Sequence, residues 1–249
     1  MARVEVNRGD GISGQDKAAQ RHTEGPKLLR IFLKISLQYF LMCAVMLVSA
    51  GTLLWMRAWV YLAVALVCFL VNACVVHHFN PDLIAERHRH HEDTKPFDKV
   101  LTRLIAVDTI LMLVVSGLDA VRYKWSFLPD LAVYPGILLH ALGMATLGWA
   151  MSSNPYVEKT VRIQVDRDQR VISVGPYALI RHPMYLGMIL MGIGFPLIAG
   201  SAWSVAPLGV YIFLFILRTA LEDKTLRSEL SGYEEYARDT RHRLVPGLW

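Results

Sequence analysis

The chain is poor in charge and in cysteine. Of its 249 residues only 19% are Asp, Glu, Lys or Arg, while 54% are apolar. With a mean hydropathy of +0.35, that balance leaves too little polar surface for an ordinary soluble domain. Its three cysteines, Cys43, Cys68 and Cys74, all fall inside apolar stretches, where thiols are usually inert. Neither a disulfide framework nor a metal site follows from them. Internal repeats and nucleic-acid motifs are absent, and the basic residues are spread over several segments instead of one face, which argues against nucleic acid as a partner. Residues 1–26 lack the apolar core of a cleavable signal peptide; polar and rich in Gly and charge, they are expected to be a disordered cytoplasmic leader.

What is abundant is long apolar sequence. A helix needs about 20 mostly apolar residues to cross the hydrocarbon of a bilayer, and windows 31–54, 58–76, 101–118 and 131–151 meet that condition. The run 184–217 is too long for one span. Pro196, Gly200 and Ser201 mark where it folds back, predicting helices over about 184–199 and 202–218. The expected fold is all-α: a polytopic integral membrane bundle of about five to six transmembrane helices. Residues 27–151 would hold the N-terminal spans and 152–249 a C-terminal core.

Lys and Arg accumulate on the cytoplasmic side of short loops. Six lie in the first 30 residues, four in the 77–100 loop, five in 152–183 and six from Arg218 onward, while the intervening turns carry one, two and none. Six crossings with both termini cytoplasmic satisfy this alternation. Any chemistry would then be built from the long basic segments and the span ends that face them.

The stretch GPYALIRHPMYLG, residues 175–187, stands at such a place. Pro183 suits the first turn of a helix and forces His182 out of the α region. A helix N-terminus offers free N–H groups and partial positive charge to an anion. Tyr177 and Tyr185 flank the turn with rings that are apolar in body and polar at the tip. A blander reading is equally open: Arg181 snorkels and both tyrosines belong to an interfacial aromatic belt. Further on, Leu217, Leu221, Leu226, Leu230, Tyr233 and Ala237 recur at helical intervals, predicting an amphipathic helix that runs on from the last span along the membrane surface. Arg218, Glu222 and Asp223 fall near the point where that span leaves the bilayer, and ionisable groups at such depth point to function. The alternative is an ordinary charged interface with Arg218 and Glu222 as an i,i+4 pair.

Taken together, GPYALIRHPMYLG, RTALEDKTLRSEL, GYEEYARDT and RHRLVPGLW resemble the membrane methyltransferases related to isoprenylcysteine carboxyl methyltransferase and the phospholipid methyltransferases. NPDLIAER, TKPFDKVL and VRIQVDR, upstream, are similar to the bacterial-type branch, so the resemblance covers roughly 80–249. It implies S-adenosyl-L-methionine as methyl donor. Carried over by motif, Gly175, Tyr177, Arg181, His182, Pro183, Tyr185 and Gly187 match the cofactor-binding stretch. Glu222 matches the first acid of a Glu-Glu pair, and Asp223 stands in place of the second, one methylene shorter. The residue types suit the cofactor's carboxylate, ammonium, adenine and sulfonium. Glu222 and Arg218 are the residues expected to act on the reactants, Arg218 by holding an acceptor carboxylate if it faces the pocket. The acceptor would be a lipid or another lipophilic molecule entering sideways from the bilayer.

Two other enzyme classes share some of these features. His77, His78, His88, His90 and His91 lie close together, as histidines do in membrane di-iron oxygenases, although only His88 and His91 are three apart. The C-terminal region also resembles NADPH-dependent sterol reductases, which would need more upstream spans than this chain has. A non-catalytic membrane scaffold would bind no small molecule at all.

Overall fold

A computed structural model describes residues 14–87 and 93–249; the remaining stretches, with His88, His90 and His91, lie outside the described residues. The chain divides into two units, Met1–Leu41 and Met42–Trp249. Helix α1 spans Gly14–Ala50. It therefore begins inside the segment expected to be a leader, where Gln15, Lys17, Ala18, Ala19, Gln20 and Arg21 are strong helix formers.

The second unit continues with α2 (Met56–Phe79), α3 (Pro81–Glu86), α4 (Pro96–Gly117), α5 (Val133–Ser153), α6 (Pro183–Ala199), α7 (Val205–Glu229) and α8 (Tyr233–Asp239). A π-helical turn, Leu118–Tyr123, extends α4. No strand occurs among the described residues. Five helical stretches are long and apolar enough to cross a membrane: Phe32–Ala50, Met56–Phe79, Pro96–Tyr123, Asp130–Ser153 and Val205–Glu229. Helix α6, with 17 residues, is shorter, reaching about 26 Å at 1.5 Å per residue. The expected fold-back of 184–217 is present. Gly200 at φ 82° closes α6, and its N–H and that of Ser201 both donate to the Pro196 carbonyl, at 2.9 and 3.1 Å.

Helices α5 and α6 pack antiparallel through glycines. Gly136 meets Gly194 and Gly143 meets Gly187: a Cβ on Gly143 would stand 2.5 Å from the Gly187 carbonyl oxygen, and one on Gly187 2.6 Å from that of Gly143. Small residues let two backbones approach where lipid offers no hydrophobic drive for association. The contact places the first turn of α6 beside the last turns of α5.

The two ends of the bundle are built differently. At one end Arg57 donates to the Leu128 and Pro129 carbonyls and to Asp130. Asp119, fully buried, accepts from Ser126 and Ser201, each at 2.6 Å, and from the Trp203 N–H at 3.2 Å. This holds the turn between α6 and α7. At the other end Asn80 donates to the Met151 and Asn154 carbonyls, so α2 and α5 finish together. The irregular segment 154–182 also lies there. The apolar spacing after Arg218 is realised as a continuation of α7 to Glu229, after which Gly232 at φ 81° turns the chain. Helix α8 then buries Tyr233, Tyr236 and Ala237 against Val171, Leu226 and Leu230.

Candidate active site

Segment 154–182 has little regular structure and is held by polar contacts instead. Arg162 is its centre. The guanidinium, 5% exposed, bonds both oxygens of Glu158 at 2.8 Å and reaches Asp166 at 2.7 Å and Asp93 at 3.2 Å. Hydrogen bonds to Glu158, more than any other influence, hold its pKa far above the ordinary arginine value. Gln164 donates its side-chain amide to the Tyr156 carbonyl and its backbone N–H to the Gln169 side-chain oxygen. Buried polar groups of this kind persist because they are satisfied.

The stretch 175–187 follows. Gly175, at φ 61°, sits where a Cβ would be 2.5 Å from the Ser153 hydroxyl oxygen, and it opens a 3₁₀ turn through Ala178. His182 has φ −125° and ψ 59°, outside the α region, with Pro183 in the first turn of α6. The backbone N–H groups of Arg181 and His182 are not left open. They donate to the His242 and Arg243 carbonyls of the C-terminal tail, at 3.0 and 2.9 Å. The chain's own tail is thus fastened to the turn that precedes α6.

Those side chains converge on two acids of α7. Asp223, fully buried, receives Arg181 at 2.7 and 3.2 Å, Arg243 at 3.0 Å, Arg227 at 3.2 Å and the Tyr233 hydroxyl at 3.2 Å. His182 Nε2 lies 3.4 Å from the same carboxylate. Glu222, half-buried, accepts a short hydrogen bond from the Tyr185 hydroxyl. The Tyr185 ring is parallel to His182, centroids 5.8 Å apart and planes 2° from each other. On the Tyr185 ring sits Arg218, its guanidinium carbon 5.0 Å from the centroid.

Arg218 does not pair with Glu222. It bonds Asp98 of α4 in bidentate fashion, at 2.7 and 3.2 Å, and the Lys159 carbonyl at 2.7 Å. Asp98 also accepts the Val161 N–H at 2.8 Å. This buried pair ties α4, α7 and the irregular segment together under the Tyr185 ring.

Between these elements lies an open cleft, with about 800 Å³ of unfilled space between its walls and the solvent at its mouth. Of the residues expected from the sequence, Tyr177, Arg181, His182, Tyr185 and Glu222 line it, whereas Gly175, Pro183, Gly187 and Arg218 do not. Gly187 faces Gly143. Glu158 and Glu222 are the acidic groups on its walls, and Tyr156, Tyr233 and Tyr236 add rings. Burial raises the phenols of Tyr177 and Tyr233 well above the usual tyrosine value and pushes Tyr236 up to about 12. All three therefore stay neutral near pH 7. The hydroxyl of Tyr236 donates to the Tyr177 carbonyl at 2.8 Å.

Several participants were invisible to sequence reasoning. Asp98 carried a signal, an acid at the head of an apolar helix, but its partner lies 120 residues away. Glu158 and Arg162 carry no signal beyond being opposite charges four residues apart. Of the clustered histidines, His77 and His78 lie exposed in the last turn of α2. Among the described residues no three His, Cys, Asp or Glu side chains converge on a metal-sized site.

No curated protein matches the chain. Residues 131–231, which supply every wall of the cleft except Tyr233 and Tyr236, match the family model of the phospholipid methyltransferases.

Proposed function

We propose that the cleft binds S-adenosylmethionine and that the protein transfers its methyl group to a lipophilic acceptor reaching the site from the bilayer. One observation carries the reading: the acid Glu222, held by Tyr185, faces an open cleft at the end of the apolar spans, inside the matched stretch. The walls fit the donor's chemistry. A carboxylate and aromatic faces suit a sulfonium or ammonium cation. Arg181 lends positive charge, His182 a polar ring, and Leu226, Leu230 and Val171 offer an apolar slot.

The cofactor would supply an activated methyl group; the residues align, shield and hold charge. Tyr185 fixes the carboxylate of Glu222 by donating to it. Arg218, engaged with Asp98, braces Tyr185 from behind and stabilises the site without lining it. Methyl transfer is a single displacement at carbon, for which positioning and exclusion of water are the main requirements. No nucleophilic side chain is needed.

S-adenosylhomocysteine should stabilise the detergent-solubilised protein against heat, as a ligand preferring the folded state must, and NADPH should not. Glu222→Gln should weaken that binding about ten- to a hundredfold, the worth of one charge-assisted hydrogen bond. Stabilisation by NADPH alone would replace this reading with a reductase. No response to either ligand would remove it.

A further inference from the structure

The cations on the walls of the cleft have carboxylate partners: Arg162 with Glu158, Arg170 with Asp168, Arg181 with Asp223. Arg87, at its rim, does not. The residue follows α3, directly after α2 leaves the apolar region. Its Nη1 donates to the Val157 carbonyl at 3.0 Å and lies 3.9 Å from the Met184 sulfur. Among the described residues no carboxylate is within ion-pair distance of it. Neither Nε nor Nη2 has an acceptor there, and both keep contact with solvent. Half of a guanidinium fork is thus presented unbonded. Burial lowers the pKa of Arg87; a guanidinium nonetheless keeps its charge in proteins. Glu158 acts on Arg87 only from beyond ion-pair distance, and a partly desolvated cation with no carboxylate in contact is costly unless something else supplies one.

The position says what that is. Val157 and Met184, the two contacts of Arg87, both line the cleft, while Arg87 itself stays outside its walls. Asn80 fastens the end of α2 to the end of α5, and Met184 is in the first turn of α6, so Arg87 lies at the level where three apolar helices stop. An amphiphile with its tail along those helices would carry its polar head to that level. A guanidinium fork matches the paired oxygens of a carboxylate or phosphate.

Resting on the proposed methyl transfer, we infer that Arg87 receives an anionic group, carboxylate or phosphate, on the polar head of a lipid acceptor, and so selects acidic amphiphiles.

The test uses the full chain in a nonionic detergent, with dodecyl phosphate, inorganic phosphate and S-adenosylhomocysteine as probes in isothermal titration. Dodecyl phosphate should bind saturably and far more tightly than inorganic phosphate. Arg87→Gln should weaken dodecyl phosphate about ten- to a hundredfold and leave S-adenosylhomocysteine unchanged. Arg87→Met, which keeps a stem long enough to pack on Met184, gives the same comparison if the Gln variant fails to fold. Equal binding of dodecyl phosphate to wild type and variant overturns the inference. So does loss of S-adenosylhomocysteine binding alone, which would hand Arg87 to the cofactor, or inorganic phosphate binding as tightly as the amphiphile. Absence of S-adenosylhomocysteine binding in the wild type is a different result and strikes the proposed function instead.

Discussion

At Asp223 one fully buried carboxylate faces three guanidiniums, an imidazole and a phenol. The sequence places this residue where the resembling family has a longer acid, which left its role open beside that of Glu222. The geometry separates the two. Glu222 opens on the cleft, whereas Asp223 points away and joins α6, α7, α8 and the tail. Asp223→Asn would leave Arg181, 4% exposed, with an uncompensated buried charge, an effect of about 3 to 5 kcal/mol. The unfolding midpoint in detergent should fall clearly. Asp223→Glu keeps the charge but adds a methylene to a site with no free space, which costs about 1 to 3 kcal/mol, so it should fall between wild type and Asn. An Asn variant as stable as wild type would show that the cluster is not a keystone.

Among the helices, α6 is the shortest of the apolar elements, yet its start sets both Tyr185 and the His182 turn against the cleft. Its placement depends on Gly136, Gly143, Gly187 and Gly194, far from the chemistry. Gly143→Leu should therefore lower stability by about 1 to 3 kcal/mol or more, since overpacking forces backbone shifts, and should weaken S-adenosylhomocysteine binding without touching the cleft. Unchanged binding and unfolding temperature in that variant would mean that the α5–α6 contact does not set the site. The apolar windows, the fold-back at Pro196 and Gly200, and the out-of-α His182 were all legible, because each follows from a local rule of length, ring closure or handedness. What stayed hidden was long-range pairing. Arg218 reads as a partner for Glu222 four residues on, but Asp98 offers a bidentate contact that no spacing announces. The C-terminal segment that covers the N–H groups of Arg181 and His182 is hidden for the same reason.

Across the second unit, the polar machinery gathers at one end. Lys95 meets Glu229, Asn80 meets Asn154 and Arg181 meets Asp223 there, while Arg57 with Asp130 and Asp119 with Ser201 close the other. Basic residues follow the same division. The 77–100 loop, 152–183 and the tail from Arg218 carry four, five and six, against one, two and none in the turns of the opposite end. Positive charge is retained on the cytoplasmic side of a bilayer, which predicts that the cleft opens to the cytoplasm, where a nucleoside-bearing methyl donor is made and spent. Cysteine labelling tests this with Cys43, Cys68 and Cys74 first replaced by alanine. Arg170, whose side chain is 77% exposed, and Phe127, 79% exposed, mark the two ends. In intact cells an impermeant maleimide should modify Phe127→Cys and leave Arg170→Cys untouched until the membrane is opened. The reverse pattern would put the cleft outside, cut off from a cytoplasmic donor, and the proposed reaction could not run there even if every contact described were correct.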